Sequence, residues 1–273
     1  MDNIRQFYDQ MAPQYDRLFA DWNAATKEQA DLLSQIFTSE GFDQSAEILD
    51  CACGIGTQTI GLAARGFRMT ASDFSGNALA EAQKRAEQNG VSVRFRNADF
   101  RRLSDVFDMQ FDIIIAMDNA LPHMLTAADL EAAVRSMTAQ LKPDGLFIAS
   151  IRDYDSLLQH KPAYSPPYIH PTAEGQRVSF QTWEWDSDLY HLTQYIITDE
   201  ASLQISKFTC DYRAVCRDAL AAMLQAAGCR SVQWHTPEET GFYQPIVTAR
   251  KGGYHESHRN RTGNDQNHRK TRI

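Results

Sequence analysis

Asp50, Gly54 and Gly56 close a short apolar stretch, Ile48-Leu49-Asp50-Cys51, and open a helical period that starts at Thr57. The glycines let the backbone pass close to a ligand, and the helix N-terminus that follows favours an anionic group. The Asp50 carboxylate favours a cation instead, so the loop suits a ligand that carries both an ammonium and a carboxylate. Asp73 ends the next strand-like stretch, 17 residues after Gly56, where an acid can accept from the two hydroxyls of a ribose. Asp99 follows the third stretch, with Phe100 beside it to pack on a base. Arg152 follows the fifth, and a guanidinium there can bind a carboxylate through two parallel hydrogen bonds. Cys51 and Cys53 are expected to be small packing residues, because no His or Cys cluster completes a zinc site; no metal is expected.

These residues need a scaffold that brings strand ends together. From Glu47 to about Ile151 short apolar runs alternate with helical periods. Strands are expected at Ile48–Cys51, Arg68–Ser72, Val91–Arg96, Phe111–Met117 and Leu146–Ile151. Helices are expected at Thr57–Arg65, Asn77–Gln88 and Leu130–Leu141, and Lys142-Pro143-Asp144-Gly145 reads as a turn. Alternation at this spacing predicts a parallel sheet with helices on both faces, which binds its ligand at the carboxyl ends of the strands. Residues 1–40 are expected to form an N-terminal helical arm or lid rich in aromatics, and 41–151 the core. The segment 152–213 starts with prolines (Pro162, Pro166, Pro167, Pro171) and reads as a lid. A three-stranded antiparallel insertion follows over Arg177–Asp186, Leu189–Thr198 and Leu203–Tyr212. Residues 214–250 hold a last helix and two last strands, and 251–273 read as a disordered tail.

The loop discriminates between two ligand classes. A dinucleotide fingerprint asks for a third glycine where this chain has Thr59, and an acid at Asp50 is unhelpful to a pyrophosphate. S-adenosylmethionine fits all three positions: an amino-acid zwitterion at the loop, a ribose for Asp73, an adenine near Asp99 and Phe100. The set Asp50-x-x-x-Gly54-x-Gly56, Asp73, Asn97-Ala98-Asp99-Phe100 and Leu141-Lys142-Pro143-Asp144-Gly145 resembles the successive motifs of class I S-adenosylmethionine-dependent methyltransferases. That resemblance implies a Rossmann-like α/β fold with a seven-stranded sheet whose last strand is antiparallel. It also implies a cofactor site made from Asp50, Cys51, Ala52, Gly54, Gly56, Asp73, Phe74, Asp99, Phe100, Met117 and His123.

Two further stretches are similar to glycine N-methyltransferases: Asp118-Asn119-Ala120-Leu121-Pro122-His123 to Gly-Asn-Ser-x-x-His, and Ile151-Arg152-Asp153-Tyr154-Asp155 to His-Arg-Asn-Tyr-Asp. The resemblance implies that Arg152 grips a substrate carboxylate and Asn119 helps to place its amine. Tyr154 supports the pocket wall, and Tyr8, Tyr15 and Trp22 are candidates for lining the chamber, with Tyr15 also a candidate catalytic group. Arg152 could instead pair with Asp153, Asp155 or another acid. The expected substrate is a small molecule with an amine and a carboxylate, most simply glycine or sarcosine; a larger N- or O-acceptor behind the lid and a non-catalytic binding module remain open.

Charge and composition bound the rest. Six of the 27 Lys and Arg but only two of the 35 Asp and Glu lie in residues 251–273, which leaves 21 against 33, a charge of −12, on residues 1–250. A body this acidic repels phosphate backbones, so nucleic acid is not an expected partner. No apolar run approaches the ~18 residues of a membrane span and the start of the sequence has no apolar signal region, so a cytoplasmic protein is expected. Five cysteines do not make a disulfide framework. A homo-oligomer is compatible with all of this.

Overall fold

The computed structural model describes residues 2–172, 175–199 and 202–253. The tail expected to be disordered therefore lies outside the described residues from position 254 onward. Seven strands form the main sheet: β1 (Glu47–Asp50), β2 (Arg68–Asp73), β3 (Arg94–Asn97), β4 (Phe111–Ala116), β5 (Leu141–Ser150), β10 (Cys229–His235) and β11 (Ile246–Lys251). Their order is β10-β11-β5-β4-β1-β2-β3; β11 runs antiparallel to both neighbours and β1 to β5 are parallel.

Period-two burial explains why these stretches are strands. On β4, Ile113 and Ile115 face one hydrophobic cluster while Ile114 and Ala116 face another, and all four are fully buried. Ile113 and Ile115 share their cluster with Leu33 and Phe37 of α2 (Trp22–Ser39). Ile114 shares the other with Leu130 and Val134 of α5 (Ala127–Ala139). A strand apolar on both faces needs a helix layer on each, and each of the buried isoleucines contributes roughly 1.5–3 kcal/mol.

The expected turn at Lys142–Gly145 lies inside β5. Asp144 has φ 60° and the β4–β5 register shifts between Phe111 and Ile113, so the four residues bulge out of a continuing strand. Gly145 is required there: a Cβ would meet the Lys142 carbonyl oxygen at 2.9 Å.

A second sheet, β6 (Tyr168–Thr172), β7 (Gly175–Asp186), β8 (Leu189–Asp199) and β9 (Leu203–Arg213), is antiparallel throughout. It has one strand more than expected, and that strand lies in the proline-rich segment. β6 is at the edge, where Pro171 can be tolerated because only half the N–H groups are needed. The same segment holds a short helix, α6 (Tyr154–His160), capped by Asp153.

The first 40 residues are helical: α1 (Asp2–Met11), a 3-10 stretch over Ala12–Leu18, and α2. The helix α1 bridges two bodies. Its Phe7 meets Phe208 of β9 edge-on at 6.4 Å. Its Asp9 accepts from the Ser75 hydroxyl and from Asn77 N (3.3 Å) at the start of α4 (Gly76–Gln88). Behind the arm, α2 lies on α3 (Thr57–Ala64) so closely that a Cβ on Gly61 would stand 2.4 Å from the Thr26 carbonyl and 2.7 Å from Ala30 Cβ. Gly61→Ala is therefore expected to destabilise by roughly 1–3 kcal/mol despite the better helix former. Gly76→Ala, with nothing within 4 Å, is its control in denaturant titration, and equal midpoints for the two variants would refute the close approach.

Candidate active site

Because β1 to β5 are parallel, their last residues share one edge, and the strand order reverses between β1 and β4. That edge carries Asp50, Asp73, Asp118, Asn119 and Arg152.

The loop after β1 is built from its own acids. Asp50 is buried; its Oδ2 accepts from Thr59 Oγ1 at 2.7 Å and its Oδ1 from Ala52 N at 3.3 Å. Burial pushes its pKa up to about 7 against the lowering effect of those bonds. Thr59 thus has a task that the glycine of a dinucleotide loop could not perform. Gly54 (φ 52°) faces open space, whereas a Cβ on Gly56 (φ 92°) would meet Ile60 at 2.8 Å. Cys51 is buried and donates through Sγ to the Ile115 carbonyl.

Asp73 ties the loop to β2. Its Oδ2 accepts from Gly54 N and its Oδ1 from Ser75 N, both at 2.8 Å. The cap of α4 is Ser75, whose hydroxyl accepts from Ala78 N, so Asp73 is not the capping residue. Burial raises the Asp73 pKa against these bonds, and its unused lone pairs suit a vicinal diol. Asp99 is held differently: Arg101 grips it at 2.6–3.1 Å. Burial raises its pKa, but the bonds and charge from Arg101 win and hold it below the usual carboxylate range. Phe100 packs partly buried against the core, Phe74 lies under the Arg5 guanidinium at 4.1 Å, and Met117 is buried in the cluster behind the sheet. A zwitterion beside the Gly54 loop and a diol on Asp73 match this donor and acceptor set.

Next to that cradle lies a cavity of about 870 Å³, walled by the arm, the second sheet and the loop before β11. Of the residues expected in the site, Tyr8, Tyr15, Asn119 and Arg152 line it. Tyr154, His123 and Trp22 stand behind the wall. Tyr154 is fully buried and donates to Asn119 Oδ1 at 3.0 Å. His123 shares a 2.7 Å hydrogen bond with the Tyr8 hydroxyl and lies tilted against Tyr212, ring centroids 4.1 Å apart; burial lowers its pKa to about 3, so the ring is neutral. Trp22 donates to Thr57 Oγ1 and lies under Arg85, which fastens α2 to the core.

Arg152 is the central group. Its guanidinium donates to Gln181 Oε1 at 2.9 Å, reaches the Tyr190 hydroxyl at 3.4 Å, and lies over the rings of Trp183 (5.1 Å) and Tyr212 (5.6 Å). Among the described residues it has no carboxylate partner. Asp153 and Asp155, the acids beside it in sequence, pair with Arg217 at 3.2 and 2.7 Å. Asn119 accepts on Oδ1 from Arg152 N (3.1 Å) as well as from Tyr154, which leaves its buried Nδ2 without a partner.

The groups around Arg152 that sequence reasoning missed, Gln181, Trp183, Tyr190 and Tyr212, all come from the second sheet. A signal was present in Gln181 and Trp183, two apart and so on one face of β7. Among the described residues no group of three or more His, Cys, Asp or Glu could hold a metal ion, and no helix is long and apolar enough to cross a membrane.

Known proteins share parts of this sequence and most of this fold. Residues 48–145 match the family described as "Methyltransferase domain". The chain is 31% identical over 159 residues to a glycine/sarcosine N-methyltransferase from Parasynechococcus marenigrum, covering 58% of this chain and 55% of that one. It is 28% identical over 155 residues to one from Halorhodospira halochloris, covering 57% and 56%. The chain thus spans just over half the length of these curated relatives. Among solved structures, an S-adenosylmethionine-dependent methyltransferase from Clostridium acetobutylicum superposes with TM-score 0.72 at 20% identity, over 90% of this chain and 99% of that one. An amino pentose methyltransferase from Micromonospora echinaspora gives 0.68 at 19% identity, over 83% and 91%. These matches place residues 48–145 as a methyltransferase domain, and the sheet order with its antiparallel β11 is the fold shared with the S-adenosylmethionine-dependent methyltransferase of known structure.

Proposed function

We propose that this chain is an S-adenosylmethionine-dependent methyltransferase that methylates the amine of a small molecule carrying a carboxylate, an amino acid such as glycine or sarcosine. The observation that carries this reading is Arg152, a guanidinium facing a cavity with neutral partners only. Asn119 lines the same cavity, and its buried Nδ2, without a hydrogen-bond partner among the described residues, is a donor still to be satisfied. The acceptor of the two curated relatives belongs to the same chemical class.

S-adenosylmethionine supplies, when bound, a methyl group on a sulfonium that an amine lone pair can displace in line. The protein's own part is alignment, which can contribute ~7–11 kcal/mol in favourable cases. In this reading Asp73 holds the ribose diol, and Gly54 and Gly56 let the backbone approach the amino-acid end. Arg152 and Asn119 fix the acceptor carboxylate. Tyr8 and Tyr15, carried by the arm, cover the chamber from water; burial keeps both hydroxyls protonated. Trp22 acts through the arm rather than on the acceptor.

A larger N-acceptor is the second reading, favoured by the cavity of about 870 Å³, of which glycine fills a small part. Mass spectrometry after incubation with S-adenosylmethionine and a pool of amino acids, methylated glycines and amino sugars separates the two. Methylated glycine or sarcosine in step with S-adenosylhomocysteine is the expected result; methylation confined to amino sugars overturns the amino-acid assignment. Arg152→Ala should lower kcat/KM for a carboxylate acceptor about 10- to 150-fold, the effect of a charge-assisted hydrogen bond worth ~1.5–3 kcal/mol. Retained activity removes the carboxylate grip. Asp73→Asn should weaken S-adenosylmethionine binding in a calorimetric titration by about tenfold, and unchanged affinity takes Asp73 out of the ribose site.

A further inference from the structure

We infer that Asp118 is the residue that recognises the acceptor's amine and takes its proton, so that the chamber is built for a zwitterion held between Asp118 and Arg152. The inference rests on the methyltransferase reading above and extends it to a residue with no role there. The stretch that resembles Gly-Asn-Ser-x-x-His carries Asp118 in place of that glycine, so a carboxylate stands where a backbone alone would.

Asp118 lines the same cavity as Arg152 and Asn119. It is fixed there at some cost: Asp118 (φ 57°) and Asn119 (φ 67°) are consecutive left-handed residues, neither of them glycine. The turn is pinned to the end of β5, where Asp118 N donates to Ser150 Oγ (2.8 Å) and Asn119 N to the Ser150 carbonyl (3.1 Å). Gln58 of α3 donates to Oδ2 at 2.8 Å, and the Tyr243 hydroxyl, from the loop before β11, donates to Oδ1 at 2.7 Å. Two bonds use about half of the lone-pair sites of a carboxylate. No cation pairs with it among the described residues, and its further charged or titratable surroundings are Tyr15 on the arm and Asp50 at the end of β1. Burial raises its pKa against the bonds from Gln58 and Tyr243, which makes it a better proton acceptor.

The chemistry closes without another reactant. The acceptor enters as an ammonium carboxylate, its carboxylate on Arg152 and its ammonium on Asp118. One N–H proton passes to the Asp118 carboxylate and frees the nitrogen lone pair. The new nitrogen–carbon bond forms as the carbon–sulfur bond of the methyl donor breaks, and the product leaves as an N-methylammonium. Asp118 then returns the proton to solvent.

The test uses the full chain loaded with S-adenosylhomocysteine, titrated by calorimetry with matched pairs: glycine against glycolate, and phenylalanine against phenyllactate. Wild type should prefer the amine of at least one pair by at least about tenfold, and Asp118→Asn should abolish that preference. Asn tolerates the left-handed backbone and keeps an acceptor oxygen, so the variant should melt like wild type. With S-adenosylmethionine, its kcat/KM for the amine should fall about 10- to 100-fold at pH 7 and recover to within about threefold at pH 9.5, where a large fraction of the free amine is already neutral. A preference that survives in Asp118→Asn overturns the inference, as does a loss that falls on S-adenosylhomocysteine affinity or is not recovered at high pH. If Arg152→Ala leaves glycolate binding intact while Asp118→Asn behaves as expected, the carboxylate grip fails and the Asp118 assignment stands. Failure of every carboxylate probe to bind wild type removes both.

Discussion

Moving a guanidinium out of water costs several kcal/mol unless it is paired, and Arg152 receives only partial compensation from its own chain: one amide oxygen, one phenol and two ring faces. Much of the ligand edge follows from that constraint. The second sheet supplies all four groups, so the site cannot form until β7, β8 and β9 have docked on the core. Arg217 draws Asp153 and Asp155 to itself and keeps the neighbouring acids from neutralising the site. Asn119 and Tyr154 pin the backbone at Arg152 from the other side, and the Tyr154 hydroxyl passes the chain of bonds on to Tyr190 at 2.8 Å.

Strain and order meet in the connection after β4. Two left-handed residues in succession cost of order 1–3 kcal/mol each, and they persist because Ser150 accepts from both backbone amides. Ser150 is itself buried and donates to Gln244 Oε1 at 2.9 Å. The antiparallel last strand thereby has a local purpose: the loop that leads into it delivers Gln244 to the turn and Tyr243 to Asp118. A parallel strand at that position would enter from the opposite edge and leave both without those partners.

The parallel core was legible because its signals are local. The apolar runs of β1, β2 and β4, the acid at each strand end and the glycine loop are all short-range patterns, and they locate Asp50, Asp73 and Arg152 on one edge. What was not legible depends on pairing. Pro171 reads as a strand breaker until β6 is seen to be an edge, and Lys142–Gly145 reads as a turn until β4 is seen to accommodate a bulge. The second half of the Arg152 surroundings comes from Gln181 and Tyr190, 29 and 38 residues away, and no spacing rule links them to it. Asp99 shows the converse case: its partner Arg101 is two residues away and visible in the sequence, but only the geometry tells which acid the arginine chooses.

An acidic body and the carboxylate grip proposed for Arg152 are reconciled by distance. Residues 1–250 carry −12, yet surface charges more than about 8–10 Å from the site are largely screened at physiological salt. Two charges 4 Å apart at an effective dielectric near 20 interact by about 4 kcal/mol, so one contact with Arg152 outweighs a diffuse surface field. The arm sharpens this difference. It is fastened to the core through Asp9 and Ser75, and to the second sheet where Arg177 donates to the Phe19 carbonyl and Ser206 to Gln14. Tyr8 and Tyr15 thereby wall the cavity beside Arg152, and a wall less polarisable than water strengthens charges at close range without extending their reach.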